Sequence, residues 1–281
     1  MAFFFKVSGG GNDFIALPEP ERDPSVEEIR AWCRRGLSVG ADGLFVLRQA
    51  PAGNAVIMDH RNADGSHPAL CLNGTRCAAR LAFHLGWARD AVEVRTGAGA
   101  IQARAFGEGR VALEIPPPQA PARQLSAAVG SAEHSGWHIH VGVPHFILLW
   151  PESLEDAPVE SLGRQLVQHP AFGAEGANID LVRFLGPDLM EIRSYERGVF
   201  TETLACGTGV MAATGVGLQL GLARLPISAR TRGGFELQVA GDVAAGRPQS
   251  WSLAGDARII AQGSILPEAS QLPAAGSPGR R

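Results

Sequence analysis

The stretch from Gly207 to Leu222 constrains the fold most strongly, because it reads GTGVMAATGVGLQLGL and contains no charged residue. A helix that is apolar on every face has to be buried on every face. The other apolar stretches, among them GLFVLRQ, AVEVRT, RVALEI and FILLW, are short and are bounded by glycine, proline or acidic turns, as strands are. The sequence therefore predicts a central helix that is wrapped by strands.

Two further segments predict helices at the surface. SVEEIRAWCRRGL begins with Ser25 and Glu28 at the spacing of a capping box, and SLGRQLVQH has the periodicity of a second helix. A chain of 281 residues is long enough for two medium domains. The proline-rich segment from Glu114 to Leu125, EIPPPQAPARQL, excludes a helix and favours an extended linker between two halves.

Charge and composition exclude several classes of partner. The formal net charge is -3 and charged residues make up 19% of the chain, so no broad field attracts nucleic acid or an anionic membrane surface. A small neutral or zwitterionic ligand fits better. The first residues, MAFFFKVSGGGNDF, are interrupted too early for a signal peptide, and no apolar run reaches the length of a membrane span. The four cysteines lack the paired spacing of a zinc site, so we expect no metal and a reducing cytoplasm.

Two of the cysteines stand in matching positions. CLNG at Cys71 and CGTG at Cys206 each place a glycine three residues after the thiol, at the start of a helix-like segment. Backbone N–H groups in the first turn of a helix have no intrahelical acceptors, and with the helix dipole they form a site for a carboxylate. A thiolate in that turn is stabilised as well. Two such helix starts, in two similar halves, could face one small carboxylate ligand from opposite sides.

This pairing suits inversion at an α-carbon. Racemisation without a cofactor needs one group that removes the proton from one face and another that delivers a proton to the opposite face. A cysteine hydrolase or transferase would instead pair one thiolate with a histidine, and a non-catalytic binding protein could lose either thiol. Because Cys71 and Cys206 are both present, the sequence favours an isomerase over these two alternatives.

Several ordered motifs resemble those of the diaminopimelate epimerases. In chain order they are GGGNDF (9–14), NADGSHPALCLNGTRCAAR (62–80), GVPHF (142–146), GANIDLV (176–182) and YERGVFTETLACGTG (195–209), and the resemblance continues through LAGDARIIAQGSI to about Pro267. The resemblance implies a cofactor-independent isomerase that converts LL-diaminopimelate to the meso form in lysine and cell-wall precursor synthesis. It also implies a homodimer.

The same resemblance implies an α+β fold of two pseudo-symmetric domains, each a mixed β-sheet curled around a central α-helix, with the active site in the cleft between them. The first domain would comprise residues 1–118 and a returning C-terminal strand at 259–267. The second domain would comprise residues 119–258. Residues 268–281 are low in large apolar side chains and are predicted to form a disordered tail.

The resemblance also assigns roles to single residues. The family's two catalytic cysteines match Cys71 and Cys206. The positions assigned to substrate binding are Asn12, Asn62, Asn178, Glu196 and Arg197 through their side chains, and Leu72, Asn73, Gly207 and Thr208 through their backbone groups. Without the resemblance, the asparagines would be interpreted as turn formers and the Glu-Arg pair as an ordinary surface pair.

The remaining cysteines and histidines fit structural roles. Cys33 and Cys77 are predicted to be inert and buried. His138 and His140 alternate along one strand face, but no acidic or thiol partner stands close in sequence, so we predict no metal site.

Three departures from the family pattern concern substrate recognition. Leu72 replaces a glycine, which is acceptable only if the position does not need a positive φ. Val143 replaces an asparagine that contacts the far end of the substrate in many members, and the segment from Arg197 to Cys206 is one residue longer than the commonest form. The alternative function is therefore a related racemase for another amino acid, such as histidine or proline.

Overall fold

The computed structural model describes residues 2–67, 70–245 and 247–271. The helices are α1 (Val26–Trp32), α2 (Leu72–His84), α3 (Val159–Leu166) and α4 (Gly207–Leu220). The strands are β1 (Ala2–Gly9), β2 (Asn12–Pro18), β3 (Gly43–Gln49), β4 (Ala55–Asn62), β5 (Ala91–Thr96), β6 (Gly99–Ala105), β7 (Arg110–Ile115), β8 (Arg123–Val129), β9 (Ala132–Val141), β10 (Val143–Leu149), β11 (Asn178–Gly186), β12 (Leu189–Glu196), β13 (Thr201–Thr203), β14 (Ile227–Thr231), β15 (Glu236–Ala244), β16 (Arg247–Asp256) and β17 (Arg258–Ile265). Short 3₁₀ turns lie at Pro170–Phe172 and Pro267–Ser270.

The chain divides into two compact units, the first formed by residues 1–104 with 257–281 and the second by residues 105–256. The first unit contains a mixed sheet in the order β17-β1-β2-β3-β4-β5-β6. The pairs β2–β3 and β4–β5 are parallel, and each is joined through a helix, as a parallel connection requires. Helix α2 contacts β1, β2, β4, β5 and β17, so the sheet curls around it.

The second unit repeats this plan. Its sheet runs in the order β8-β9-β10-β11-β12-β14-β15-β16-β7, and the short β13 also pairs with β12. The parallel pairs are β10–β11 and β12–β14, which are joined through α3 and α4. Helix α4 contacts β9, β10, β11, β15 and β16. Both units therefore consist of a mixed sheet around a helix, which confirms the predicted α+β fold class.

Each sheet also carries an apolar cluster that involves its other helix. In the first unit the cluster combines α1 with β2 and β3, through Ile29, Trp32, Ile15, Leu17, Leu44 and Val46. In the second unit it combines α3 with β10, β11 and β12, through Leu162, Leu166, Phe146, Ile179, Leu181 and Tyr195. Because side chains alternate along a strand, the residues between these positions project from the opposite face of the sheet.

The structure confirms the predictions that rest on local sequence patterns, namely the buried helix, three of the strands and the capping box. Helix α4 is buried from Gly207 to Leu218 except for the half-buried Thr208, as the charge-free sequence predicts. The predicted strands GLFVLRQ, AVEVRT and RVALEI coincide with β3, β5 and β7. At the capping box, Glu28 N donates to Ser25 Oγ at 3.2 Å and Ser25 N donates to the Glu28 carboxylate at 2.8 Å.

Two boundary predictions need correction. The first unit ends before residue 105 rather than at 118, because β7 pairs with β16 along its whole length and so belongs to the second unit. The predicted disordered tail begins too early, since residues 267–270 form a 3₁₀ turn and Trp32 Nε1 donates to Ser270 Oγ at 2.9 Å. Residues 272–281 of that tail lie outside the described residues. None of the helices in the described ranges is long and apolar enough to cross a membrane.

Candidate active site

Cys71 is the N-cap residue of α2. Its backbone is extended, and its Sγ accepts a hydrogen bond from Gly74 N at 3.3 Å. The side chain is half-buried, and it lines a cavity of about 400 Å³ whose other lining residues include Met58, Asp59, His60, His67 and Thr75. A hydrogen bond from a backbone N–H at a helix start favours a thiolate over a thiol. The position therefore suits a cysteine that removes a proton.

Leu72 and Asn73 are the first residues of α2 itself. Leu72 is 4% exposed and has a helical backbone, so the replacement of the family's glycine introduces no strain at this position. Asn73 is 5% exposed, and its Nδ2 donates to Asn12 Oδ1 at 2.7 Å while its Oδ1 accepts from Arg76 Nη2 at 2.6 Å. The structure thus brings together Asn12 and Asn73, which lie far apart in the sequence.

Asn12 is held in turn by a group of charged side chains. Asn12 Nδ2 and Asp13 N both donate to Asp42 Oδ2, at 3.2 and 3.1 Å. Asp13 forms ion pairs with Lys6, at 2.7 Å, and with Arg35. Burial alone would raise the pKa of Asp13, but the hydrogen bonds and positive charges of these two cations outweigh it and lower that pKa to about 2. Asp13 therefore stays ionised and fixes the start of β2.

Asn62 ends β4 and is bonded within its own turn. Its Nδ2 donates to Ser66 Oγ at 3.0 Å, and its backbone N donates to Ser66 O at 2.8 Å. Gly65 in this turn has a φ of +84°, which a side chain would strain. The turn residues of NADGS thus hold one another, which fits the turn-former interpretation as well as the binding role.

Cys206 is the N-cap residue of α4 and is more deeply buried than Cys71, with 5% of its surface exposed. Its Sγ lies 3.5 Å from Thr208 Oγ1 and 3.8 Å from Asn178 Nδ2. Gly207 and Thr208 form the first turn of the helix, where backbone N–H groups are available to an anion. Burial raises the pKa of Cys206 well above its usual range, and the negative charges of Glu196 and Asp180 raise it further.

Asn178 and Glu196 lie beside this thiol, and Arg197 follows Glu196 in the chain. Asn178 is 3% exposed and links two of the predicted residues, because its Oδ1 accepts from Arg197 N at 2.9 Å while its Nδ2 approaches Cys206. Glu196 ends β12 and its Oε1 accepts from Thr203 Oγ1 at 2.6 Å. Burial raises the pKa of Glu196, with a further contribution from the negative charge of Asp180. The structure therefore brings Asn178 and Glu196 close to Cys206, whereas Arg197 joins them through its backbone N and its guanidinium donates to Glu175 O at 3.0 Å.

The segment from Arg197 to Cys206, which is one residue longer than the family's commonest form, includes the hairpin that joins β12 to β13. Phe200 there has a φ of +57° and is 51% exposed. Its N donates to Glu196 O at 2.8 Å, and its O accepts from the phenolic O–H of Tyr195 at 2.7 Å. The pairing of Glu196 with Thr201 closes this hairpin.

The cysteines and histidines that were predicted to be structural have different surroundings from Cys71 and Cys206. Cys33 and Cys77 are buried, and burial raises the pKa of the Cys33 thiol to about 11. His138 stacks on Phe172 with ring centroids 5.9 Å apart. Within the described ranges no group of three or more His, Cys, Asp or Glu side chains is arranged to hold a metal ion.

Sequence reasoning missed three residues that hold the site. They are Asp42, which accepts from Asn12, Thr203, which donates to Glu196, and Asp180, which affects both Cys206 and Glu196. Asp180 had a signal in the sequence, because it lies two residues after Asn178 in an otherwise apolar strand and so shares its face. The contact of Asp42 with Asn12 joins residues 30 positions apart, whereas Thr203 and Glu196 are only 7 positions apart and meet across the hairpin of β12 and β13.

Comparisons with known proteins agree with this geometry. The family model described as diaminopimelate epimerase matches residues 4–119 and 137–251. The diaminopimelate epimerase of Aquifex aeolicus is 36% identical over 84% of this chain and 88% of its own length. That of Methanothrix thermoacetophila is 37% identical over 86% of this chain and 90% of its own length.

A solved structure shows the same fold at low sequence identity. A probable proline racemase from Agrobacterium radiobacter K84 superposes with a TM-score of 0.68 at 16% identity, and the match covers 96% of each chain. At that identity the likeness concerns the fold alone. The match of the family model over both halves, with the extent of the two sequence relatives, shows that this chain belongs to the diaminopimelate epimerase family.

Proposed function

We propose that this protein epimerises LL-diaminopimelate to the meso form at one α-carbon, without a cofactor and with two cysteines as acid and base. The observation that carries the proposal is the repeated position of Cys71 and Cys206, each the N-cap of the helix around which its unit's sheet curls. The substrate is supported by the relatives, which are named diaminopimelate epimerases.

In this mechanism one thiolate removes the α-proton and the other cysteine, as a thiol, delivers a proton to the opposite face. One proton is removed and another is delivered, so the step involves no net oxidation or reduction. The reaction requires only that the negative charge that develops on the carboxylate be stabilised. The backbone N–H groups at the starts of α2 and α4 supply that stabilisation through Leu72, Asn73, Gly207 and Thr208.

Further side chains would recognise the rest of the substrate. Arg197 has 28% of its side chain exposed, and its guanidinium is suited to a second carboxylate because it can donate two parallel hydrogen bonds. Glu196 and Asn178 would bind an ammonium group, and Asn12 and Asn62 would supply further amide groups. The resemblance to the family supports these assignments.

The proposal is tested by hydrogen exchange in deuterated water with LL-diaminopimelate, followed by chiral analysis. The wild type should exchange the α-hydrogen and convert LL-diaminopimelate to the meso isomer, while the total amount of diaminopimelate stays constant. Cys71→Ala and Cys206→Ala should each abolish epimerisation, whereas Cys33→Ala and Cys77→Ala should keep most of it. Substantial epimerisation by Cys71→Ala would refute the two-base mechanism.

A racemase for proline or histidine is the second candidate, and the observation that favours it is Val143, which replaces an amide in the family's recognition motif. Comparison of kcat/KM for LL-diaminopimelate, proline and histidine separates the candidates. For diaminopimelate, Arg197→Lys should lower kcat/KM sharply and Val143→Asn should be neutral or favourable. A wild-type preference for either monocarboxylate would overturn the assignment.

The same proposal includes a homodimer in a reducing cytoplasm. The resemblance to the family supports the dimer, and the four free thiols are compatible with a reducing compartment. Light scattering at micromolar concentration should give twice the mass of one chain, and a monomer that is fully active would contradict the dimer.

A further inference from the structure

Strands β10, β11 and β12 direct a row of polar side chains toward the start of α4. The register pairs His145 with Asn178 and Asp180 with Ser194, and paired residues on neighbouring strands project from the same face. Glu196, two residues after Ser194, shares that face. The alternate residues of these strands belong to the apolar cluster with α3. The polar row is therefore confined to the face that carries Cys206.

Asp180 is the centre of this row. Its side chain and that of His145 are fully buried, and His145 Nδ1 donates to Asp180 Oδ2 at 2.7 Å. Ser194 Oγ donates to the other carboxylate oxygen, Oδ1, at 2.5 Å. A buried carboxylate is costly unless it is paired and hydrogen-bonded, and here both oxygens have a donor.

The same carboxylate lies against the first turn of α4. A Cβ atom at Gly209 would lie 2.5 Å from Asp180 Oδ1 and 3.2 Å from Ser194 Oγ. Only glycine allows this approach, although its backbone is helical and needs no positive φ. A negative charge at a helix start is favoured by the helix dipole. Asp180 therefore fixes the position of the turn that begins at Cys206.

The charged groups that face Cys206 come from three strands. They are Glu196 on β12, Asp180 on β11 and, bonded to Asp180, His145 on β10. Farther along α4, at Gly215, the nearest side chains from β9 and β16 are apolar, Ile139 and Trp251. The two carboxylates act in the same direction, since each disfavours a second negative charge on the thiol.

We propose that Asp180 is a positioning residue for Cys206, which fixes the first turn of α4 through Gly209 and, held by His145 and Ser194, sets how readily the thiol ionises. Its consequence for catalysis rests on the proposed function. The charge effect itself does not, because the ionisation of Cys206 can be measured without turnover.

The test is the rate of alkylation by iodoacetamide as a function of pH, with each cysteine followed by peptide mass. Asp180→Asn keeps the shape of the side chain and removes the charge. The pH at which the alkylation rate of Cys206 is half-maximal, its midpoint, should decrease by about one unit, whereas the midpoint for Cys71 in the same sample should not move. Asp188→Asn, which removes a carboxylate that is 58% exposed in the same unit, is the matched control and should leave both midpoints unchanged.

A second variant keeps the inference falsifiable if Asp180→Asn does not fold. Ser194→Ala retains the charge but removes one of its two hydrogen bonds, so the field at Cys206 increases and its midpoint should move to higher pH. If both variants fold, opposite shifts of the Cys206 midpoint support the proposal, and an unchanged midpoint in Asp180→Asn would overturn it. If only Ser194→Ala folds, a shift of its Cys206 midpoint to higher pH supports the proposal, and an unchanged midpoint would overturn it.

Turnover separates this inference from the proposed function. If the enzyme epimerises diaminopimelate, Asp180→Asn should shift the limb of the kcat/KM pH profile that belongs to Cys206 in the same direction as the alkylation midpoint. If no epimerisation is found, the alkylation result still decides the role of Asp180.

Discussion

The ion pair of Arg193 with Glu202 should contribute more to stability than any exposed pair of the second unit. The two side chains are only 11% and 14% exposed, and Arg193 Nε and Nη2 donate to the two oxygens of Glu202, both at 2.6 Å. Arg193 Nη1 donates to the carbonyl oxygens of Leu154, Glu155 and Ala157. One guanidinium thus joins β12 and β13 to the segment that precedes α3. The perturbation is Glu202→Gln, which keeps the shape and removes the charge.

The magnitude follows from this geometry. Removal of one partner from a buried ion pair costs about 3–5 kcal/mol. The slight exposure of the pair and the carbonyl groups that still accept from Arg193 reduce the cost here, to about 2–3 kcal/mol. Since each kcal/mol lowers the Tm of a domain of this size by about 2–4 °C, calorimetry should show a decrease of about 5–10 °C.

The exposed pair of Arg224 with Asp188 serves as the control, at 3.2 Å and with side chains that are 69% and 58% exposed. Asp188→Asn should cost less than about 1 kcal/mol, as exposed pairs do. Loss of the Glu202 charge should also lower kcat, because β13 carries Thr203, which donates to Glu196, and leads to Cys206. If Glu202→Gln melts within 2 °C or so of Asp188→Asn, the reasoning from burial is wrong.

Three further outcomes are expected. In Gly163→Ala the new methyl group meets the ring of Tyr195, so thermal melting should show a loss of about 1–3 kcal/mol; an unchanged Tm would mean that the ring can move aside. The pKa of Asp13 lies near 2, below its usual value near 4, so the stability it contributes is complete above about pH 4 and is lost as the pH falls from about 4 to 2. The free energy of unfolding in urea should therefore depend less on pH over that range in Asp13→Asn than in the wild type. Equal slopes of this free energy against pH in the two proteins would contradict the prediction. At pH 8 iodoacetamide should modify Cys71 before Cys206, and the reverse order would contradict the difference in their surroundings.

Features set by local pattern could be predicted from the sequence. The absence of charge between residues 207 and 222 was enough to predict a buried central helix, because no other environment suits a helix that is apolar on every face. The capping box at Ser25 followed from the spacing of two side chains within one turn. The matching positions of Cys71 and Cys206 followed from two short motifs, and both residues are N-caps.

Features set by long-range pairing could not be predicted in the same way. The boundary of the first unit depends on the pairing of β7 with β16, which no periodicity in residues 110–115 reveals. The partners of Asp180 depend on the registers that place Ser194 and His145 beside it on neighbouring strands. The sequence alone shows an acidic residue in an apolar strand, and the identity of the groups that satisfy it requires the sheet.

The two thiol sites differ in chemistry although the topology around them repeats. Cys71 is half-buried and accepts a hydrogen bond from Gly74 N, which favours the thiolate, whereas Cys206 is buried beside two carboxylates, which favour the thiol. A two-base epimerase needs one group ionised and the other protonated before each turnover. In the proposed mechanism, the difference in surroundings favours the starting state in which Cys71 is the base and Cys206 is the acid. The two singly ionised forms carry the same number of protons, so pH does not change their ratio, and kcat/KM in the two directions should therefore show the same pH profile.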